Sequence, residues 1–215
     1  TGHSPLVGLL VGAIGGYAGY GLYQTGIGLL FSALLSVAIM ILVTGAFHED
    51  GLADVADGFG GGWSKDQKLE IMKDSRLGTY GAAALFMALA LKVAALYQIS
   101  PLHYPFALMA SGALSRALIP FVTKILKPAR LGGLGADAGQ SGWVVLLIAI
   151  IIGFGSAYYL LDLQVFVRAF IAVVGMTLII ILLSYQQIRG YTGDVLGTIQ
   201  ITSEIAILIV IGMIL

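Results

Sequence analysis

The chain has 215 residues, 59% of them hydrophobic and 10% charged, and its formal net charge is zero. Soluble domains carry about 25% charged residues, so this is the composition of an integral membrane protein, and the neutral balance gives nucleic acid no footing. Cysteine is absent, which excludes disulfides and thiolate metal sites and leaves oxygen or histidine ligands.

The opening Thr1-Gly2-His3-Ser4-Pro5 lacks a basic region and a small-residue cleavage site, so it does not read as a signal peptide. A membrane-spanning helix needs about 20 apolar residues. Seven stretches qualify, at roughly 5–23, 27–47, 77–98, 102–125, 143–161, 163–184 and 197–215. The expected fold is all-α: one polytopic bundle of about seven transmembrane helices, with residues 1–215 as a single catalytic domain. Alternating crossings put loops 48–76, 126–142 and 185–196 on one side. Lys65, Lys68, Lys73, Arg76, Lys124, Lys127, Arg130 and Arg189 lie on that side, against Lys92 and Arg168 near the other. This imbalance predicts that the long loops face the cytoplasm.

In the first span, Gly8, Gly12 and Gly16 recur at four-residue spacing with Gly15 and Gly19 beside them. Such a stripe lets helices approach closely in lipid; its partner is another span or a second copy of the chain. The second span ends near Phe47 and delivers His48-Glu49-Asp50-Gly51-Leu52-Ala53-Asp54-Val55-Ala56-Asp57-Gly58. That stretch holds four of the eleven acidic residues. On a helix, Asp50, Asp54 and Asp57 fall at i, i+4 and i+7, on one face. Carboxylates stacked this closely repel, and a hard cation such as Mg²⁺ or Mn²⁺ resolves the conflict.

The glycines from Gly58 to Gly62 are expected to break this helix before Trp63, which reads as an interfacial anchor or a stacking platform. Ser64 then caps a short amphipathic helix carrying Leu69, Ile71 and Met72. Lys73 and Arg76, three residues apart, are placed on one helical face to grip phosphate oxygens, with Asp74 as a further metal ligand.

Arg116 follows Ser115 deep in the fourth span, where an arginine faces a cavity or a carboxylate. Pro120 is expected to kink that span. Lys124, Lys127 and Arg130 precede Gly132-Gly133-Leu134-Gly135, a basic glycine-rich loop that would suit an anion. His103 reads as interfacial, and Arg168 as reaching back to the interface. In the third loop, Gly190 and Gly193 would turn the chain and present Arg189, Thr192 and Asp194 together. Glu204 lies inside the last span, where it either pairs with Arg116 or lines the site.

Acids able to hold metal therefore gather with bases able to hold phosphate on one membrane face, which are the parts of a phosphoryl-transfer site. No Walker-type loop occurs. A membrane enzyme that moves a phosphate-linked group between alcohols fits the set.

The stretch 48–58, Met72-Lys73-Asp74-Ser75-Arg76-Leu77-Gly78, Ser115-Arg116 and Gly190-Tyr191-Thr192-Gly193-Asp194-Val195-Leu196-Gly197 together resemble the cobalamin synthase family, the adenosylcobinamide-GDP ribazoletransferases. The motifs stand in the family's order, and the likeness runs from Ser4 to Glu204. Family members usually begin further upstream, so an N-terminal piece is expected beyond Thr1. The resemblance implies a Mg²⁺-dependent, multi-pass enzyme of the cell (inner) membrane. It would transfer the adenosylcobinamide-phosphate group of adenosylcobinamide-GDP to α-ribazole or its 5′-phosphate, releasing GMP. On this reading Asp50, Asp54 and Asp57 hold the metal, with Asp74 and Asp194 completing its shell or holding a ribose. Lys73, Arg76 and Arg116 neutralise the transferred group, and Ser75, Arg130, Arg189 and Thr192 join them as substrate contacts. Asp57, Asp54 and His48 are candidate bases. The number of copies that assemble is left open.

Two rival readings fit the residues less well. A CDP-alcohol phosphotransferase would need Arg after Ala53, where Asp54 stands, and a later pair of Asp at four-residue spacing. A secondary transporter would suit the buried Arg116 and Glu204, but no inverted repeat is visible and the charges gather at one face.

Overall fold

The computed structural model describes residues 2–130 and 141–214. The helices are α1 (Ser4–Gln24), α2 (Leu29–Thr44), α3 (Phe47–Gly61), α4 (Lys65–Ile71), α5 (Thr79–Gln98), α6 (Tyr104–Ala117), α7 (Ile119–Ile125), α8 (Trp143–Leu160), α9 (Leu163–Ile188) and α10 (Gly193–Gly212). A 3₁₀ turn, Pro101–His103, leads into α6. Among the described residues the sole β-type pairing is an isolated bridge between Pro128 and Tyr191. Among the described residues, six segments are long and apolar enough to cross a membrane, and α2 with α3 adds a seventh if taken as one broken span. The protein is thus an all-α, multi-pass membrane bundle, as the sequence predicts. The glycine-rich loop 132–135 lies outside the described residues.

Most residues of α6 and α10 are buried, and the other helices surround them. The glycine stripe of α1 lies against α6. A Cβ added to Gly8 would stand 2.0 Å from the Gly112 carbonyl oxygen, and one on Gly12 would stand 2.2 Å from that of Leu108. The backbones touch, which only glycine permits. The adjacent Gly15 and Gly19 receive α2, whose Ser36 donates to the Gly15 carbonyl at 2.8 Å. The partners of the stripe are therefore two spans of the same chain.

The second span stops earlier than its composition suggests. Gly45 and Ala46 both adopt left-handed conformations, with φ of 64° and 57°, and the helix axis turns by 89°. The acidic stretch forms its own helix, α3, laid across the first turns of α5 and α10. Thr198 of α10 donates to the Gly51 carbonyl at 3.2 Å, and Gly51 has no room for a Cβ beside the Asp194 backbone. The glycine run ends α3 before Trp63 as expected, at Gly61, after the helix has passed through Gly58 and Gly60. Its glycines make room for neighbours: Gly58 faces Met72 and Lys68 beside α4, and Gly60 faces the Tyr80 ring.

Ser64 caps α4 as expected, in a full capping box with Gln67. The fourth span breaks at Leu118, between α6 and α7, just before Pro120. The sixth span extends to Ile188, and the last begins at Gly193, so Asp194 belongs to the first turn of α10. Val55, Leu69, Met72, Val122, Leu126, Ile188, Tyr191 and Val195 form an apolar cluster that ties α3, α4, α7, α9 and α10 together at the polar end.

Candidate active site

The site is assembled from α3, the start of α10 and the segment after α7. That segment is held by backbone bonds: Ala129 donates to the Tyr191 carbonyl at 2.8 Å, and Tyr191 to that of Lys127 at 3.0 Å. Gly190 has no room for a Cβ against Lys127. This pairing places Arg130 beside α10, where its Nη2 meets Asp194 at 3.5 Å. Thr192 is the N-cap of α10, accepting from the Val195 amide, and its hydroxyl donates to Asp194 at 3.0 Å.

Across from Asp194, α3 presents Asp50, exposed, and Asp54, half-buried. Asp54 lies within electrostatic reach of Asp50, Asp194 and Asp57, with Arg130 as the opposing cation. Negative charge is therefore in excess. Asp50, Asp54 and Asp194 offer oxygen donors alone, which suits a hard divalent cation. Among the described residues, no three acidic or histidine side chains are drawn together closely enough to hold an ion as they stand.

Asp57 takes another direction. It is buried, and its two carboxylate oxygens accept from the amides of Gly78 and Gly81, at 2.7 and 2.8 Å. It caps the N-terminus of α5 from a neighbouring helix, a position that favours negative charge. The three aspartates on one helical period thus divide between rim and scaffold.

Lys73, Asp74, Ser75 and Arg76 lie beyond α4 in a turn and share no helical face. Arg76 is exposed and chelates Asp74, with Nη2 to Oδ2 at 2.5 Å. The guanidinium holds the Asp74 carboxyl below its usual range. Arg189 is exposed too, with its guanidinium 5.3 Å from the Tyr185 ring. The turn expected to present Arg189 with Thr192 and Asp194 brings the latter two together.

Beneath the rim lies a charged layer that sequence reasoning read only in part. Lys92 of α5 and Glu204 of α10 form an ion pair at 3.0 Å, both almost fully buried. Gln200 donates to Glu204 and, at 3.3 Å, to Ser115. Arg116 is buried, donates to the Gly112 carbonyl at 2.8 Å, and lies within electrostatic reach of Glu204 and Glu49. His48, in the first turn of α3, is influenced by Arg116, Glu204 and Lys92. The direct partner of Glu204 is therefore Lys92, not Arg116. The available signal was a second intramembrane cation, since a buried carboxylate requires one.

The cobalamin-5-phosphate synthase family model matches residues 1–212. The adenosylcobinamide-GDP ribazoletransferase of Azorhizobium caulinodans is 41% identical over 211 residues, spanning 95% of this chain and 80% of its own. That of Rhizobium meliloti is 43% identical over 192 residues, spanning 83% and 72%. That of Bradyrhizobium diazoefficiens is 41% identical over 213 residues, spanning 96% and 80%. No solved structure matches the chain. The resemblance carried by the four motifs thus holds over almost the whole length, and the chain belongs to the cobalamin-5-phosphate synthase family, a membrane enzyme of cobalamin biosynthesis.

Proposed function

We propose that the protein transfers the adenosylcobinamide-phosphate group from adenosylcobinamide-GDP to α-ribazole or its 5′-phosphate, in a Mg²⁺-dependent reaction at the cytoplasmic face of the cell membrane. The observation that carries this reading is the meeting of Asp50, Asp54, Asp194 and Arg130 across two helices and a pinned loop. The relatives' names supply the donor substrate.

In the transfer, the ribazole hydroxyl oxygen forms a bond to the cobinamide-linked phosphorus. The bond from that phosphorus to the bridging oxygen breaks, and GMP departs with the electron pair. The hydroxyl proton passes to a base of the protein. Because Asp57 is committed to α5, Asp54 and His48 are the favoured acceptors. Arg130 would neutralise charge growing on the phosphoryl oxygens, held in place by Asp194 and Thr192. Asp50, Asp54 and Asp194 would hold the divalent ion, which when bound would offset the charge of the diphosphate. Arg116, below the rim, supports the site and does not line it. Lys73 and Ser75, in the turn after α4, would meet the departing nucleotide. The eight basic residues expected on this face orient it toward the cytoplasm.

The test is incubation of the purified protein, in liposomes, with adenosylcobinamide-GDP and α-ribazole 5′-phosphate, following GMP and the corrinoid product. GMP formed only with both substrates and Mg²⁺ supports the reading. Corrinoid unchanged after prolonged incubation with properly folded protein overturns it.

A further inference from the structure

Trp63 is 94% exposed, yet its backbone is fixed: its amide donates to the Gln67 side chain at 3.1 Å, inside the capping box that starts α4. It borders a cavity of about 530 Å³ lined also by Gln67, Glu70, Lys73 and Asp74. A second cavity, of about 500 Å³, lies along the other flank of α4 and is lined by Lys65, Glu70, Lys73 and Arg130. Glu70 and Lys73 border both, so the two form one trough over α4. It runs from an exposed indole, past two lysines, to an arginine that is ion-paired with Asp194. The Nη1 of Arg130 is buried without a hydrogen-bond partner. Each cavity has the size of a small-ligand site.

We propose that this trough seats the guanosine half of the nucleotide substrate, with the base on Trp63 and the phosphates leading past Lys73 to Arg130. The inference rests on the transfer reaction proposed above. An exposed indole on a fixed backbone is a stacking surface for a base. Ammonium groups and a guanidinium suit phosphate oxygens. Guanine differs from adenine in presenting N–H donors at both N1 and the exocyclic N2, which a carboxylate accepts. Glu70 is the carboxylate available, because Asp74 is tied to Arg76. The order of groups also fits the chemistry. Gly61, at the cavity wall, lies two turns beyond Asp54 on α3, about 10 Å at 1.5 Å per residue. The base would thus stand one nucleotide's reach from the acidic rim.

The chain has two tryptophans, so Trp143→Phe leaves Trp63 as the only indole. In that background, in nanodiscs, GDP quenches the emission saturably, and ADP at equal concentration does not. Glu70→Gln weakens GDP binding roughly tenfold or more, the loss of a hydrogen bond to a charged group. In otherwise unaltered enzyme, Trp63→Ala raises KM for adenosylcobinamide-GDP with little change in kcat. Equal responses to GDP and ADP overturn the proposal. So does emission indifferent to nucleotide but quenched by brominated lipid, which marks Trp63 as a membrane anchor. Either result in a protein that still releases GMP removes the trough and leaves the transfer reaction standing. Absence of GMP release, with selective quenching by GDP retained, does the reverse.

Discussion

Replacing Glu204 by Gln removes the carboxylate that faces Lys92 at 3.0 Å while keeping its shape. Lys92 and Arg116 then share the low-dielectric layer with Glu49 as the remaining acid. Breaking a buried pair from one side costs about 3–5 kcal/mol, and Glu204→Gln should fall in that range. Lys92→Met is milder, because Arg116 stays within reach of Glu204; the loss is about 2 kcal/mol, that of a hydrogen bond to a charged group. The double variant leaves Arg116 opposite Glu49, one charge against one. It should lose no more than about 2 kcal/mol, a coupling of roughly 3–5 kcal/mol or more between the sites. Equilibrium unfolding of the four proteins in mixed micelles measures the cycle. Additive losses would refute the argument, since they would mean that the two groups do not stabilise one another.

Asp57→Asn leaves one oxygen for two amides, so either Gly78 or Gly81 loses its acceptor. The expected destabilisation is about 1–3 kcal/mol, read as a lower melting temperature, with the Mg²⁺ dependence of any residual turnover unchanged. Gly12→Val forces α1 off the Leu108 backbone and should abolish stable folding, whereas Gly21→Ala, with nothing within 4 Å, should be neutral or stabilising by up to about 1 kcal/mol; protease resistance in detergent separates the two. Asp194→Asn frees Arg130 from its ion pair and weakens the acidic rim. It should cut turnover at least about tenfold while lowering the melting temperature only modestly, because Asn still accepts from Thr192 and the ion pair it loses is long, at 3.5 Å.

The features legible in the sequence were those set by local composition. The apolar lengths gave the spans, four-residue glycine spacing gave the tight packing of α1, and Ser64 with Gln67 marked the start of α4. What stayed hidden depends on contacts far apart in the chain. Gly45 is a local stop signal, but the 89° bend that lays α3 across the bundle also needs Ala46 left-handed, and alanine is no turn former. The glycines after Asp57 do end the helix, but the first of them also make room for Met72, Lys68 and Tyr80, contacts that no local pattern shows. Asp57 has the same helical period as Asp50 and Asp54, but its partners are amides at the start of α5. Lys92, assigned by position to the opposite side, reaches inward to Glu204 because a buried carboxylate must be matched. Arg76 pairs with its near neighbour Asp74, a contact that a helical reading of the turn obscures.

The metal-dependent role of the rim is tested most directly by a Mg²⁺ titration of GMP release, comparing wild-type protein with Asp54→Asn. Asp54 stands among Asp50, Asp194 and Asp57 with Arg130 as the opposing charge. Losing one of the proposed oxygen ligands should raise the half-saturating Mg²⁺ concentration and lower maximal turnover by about 100-fold, the cost of misplacing charge stabilisation at a phosphoryl centre. Full turnover by Asp54→Asn at the wild-type Mg²⁺ concentration would contradict the account.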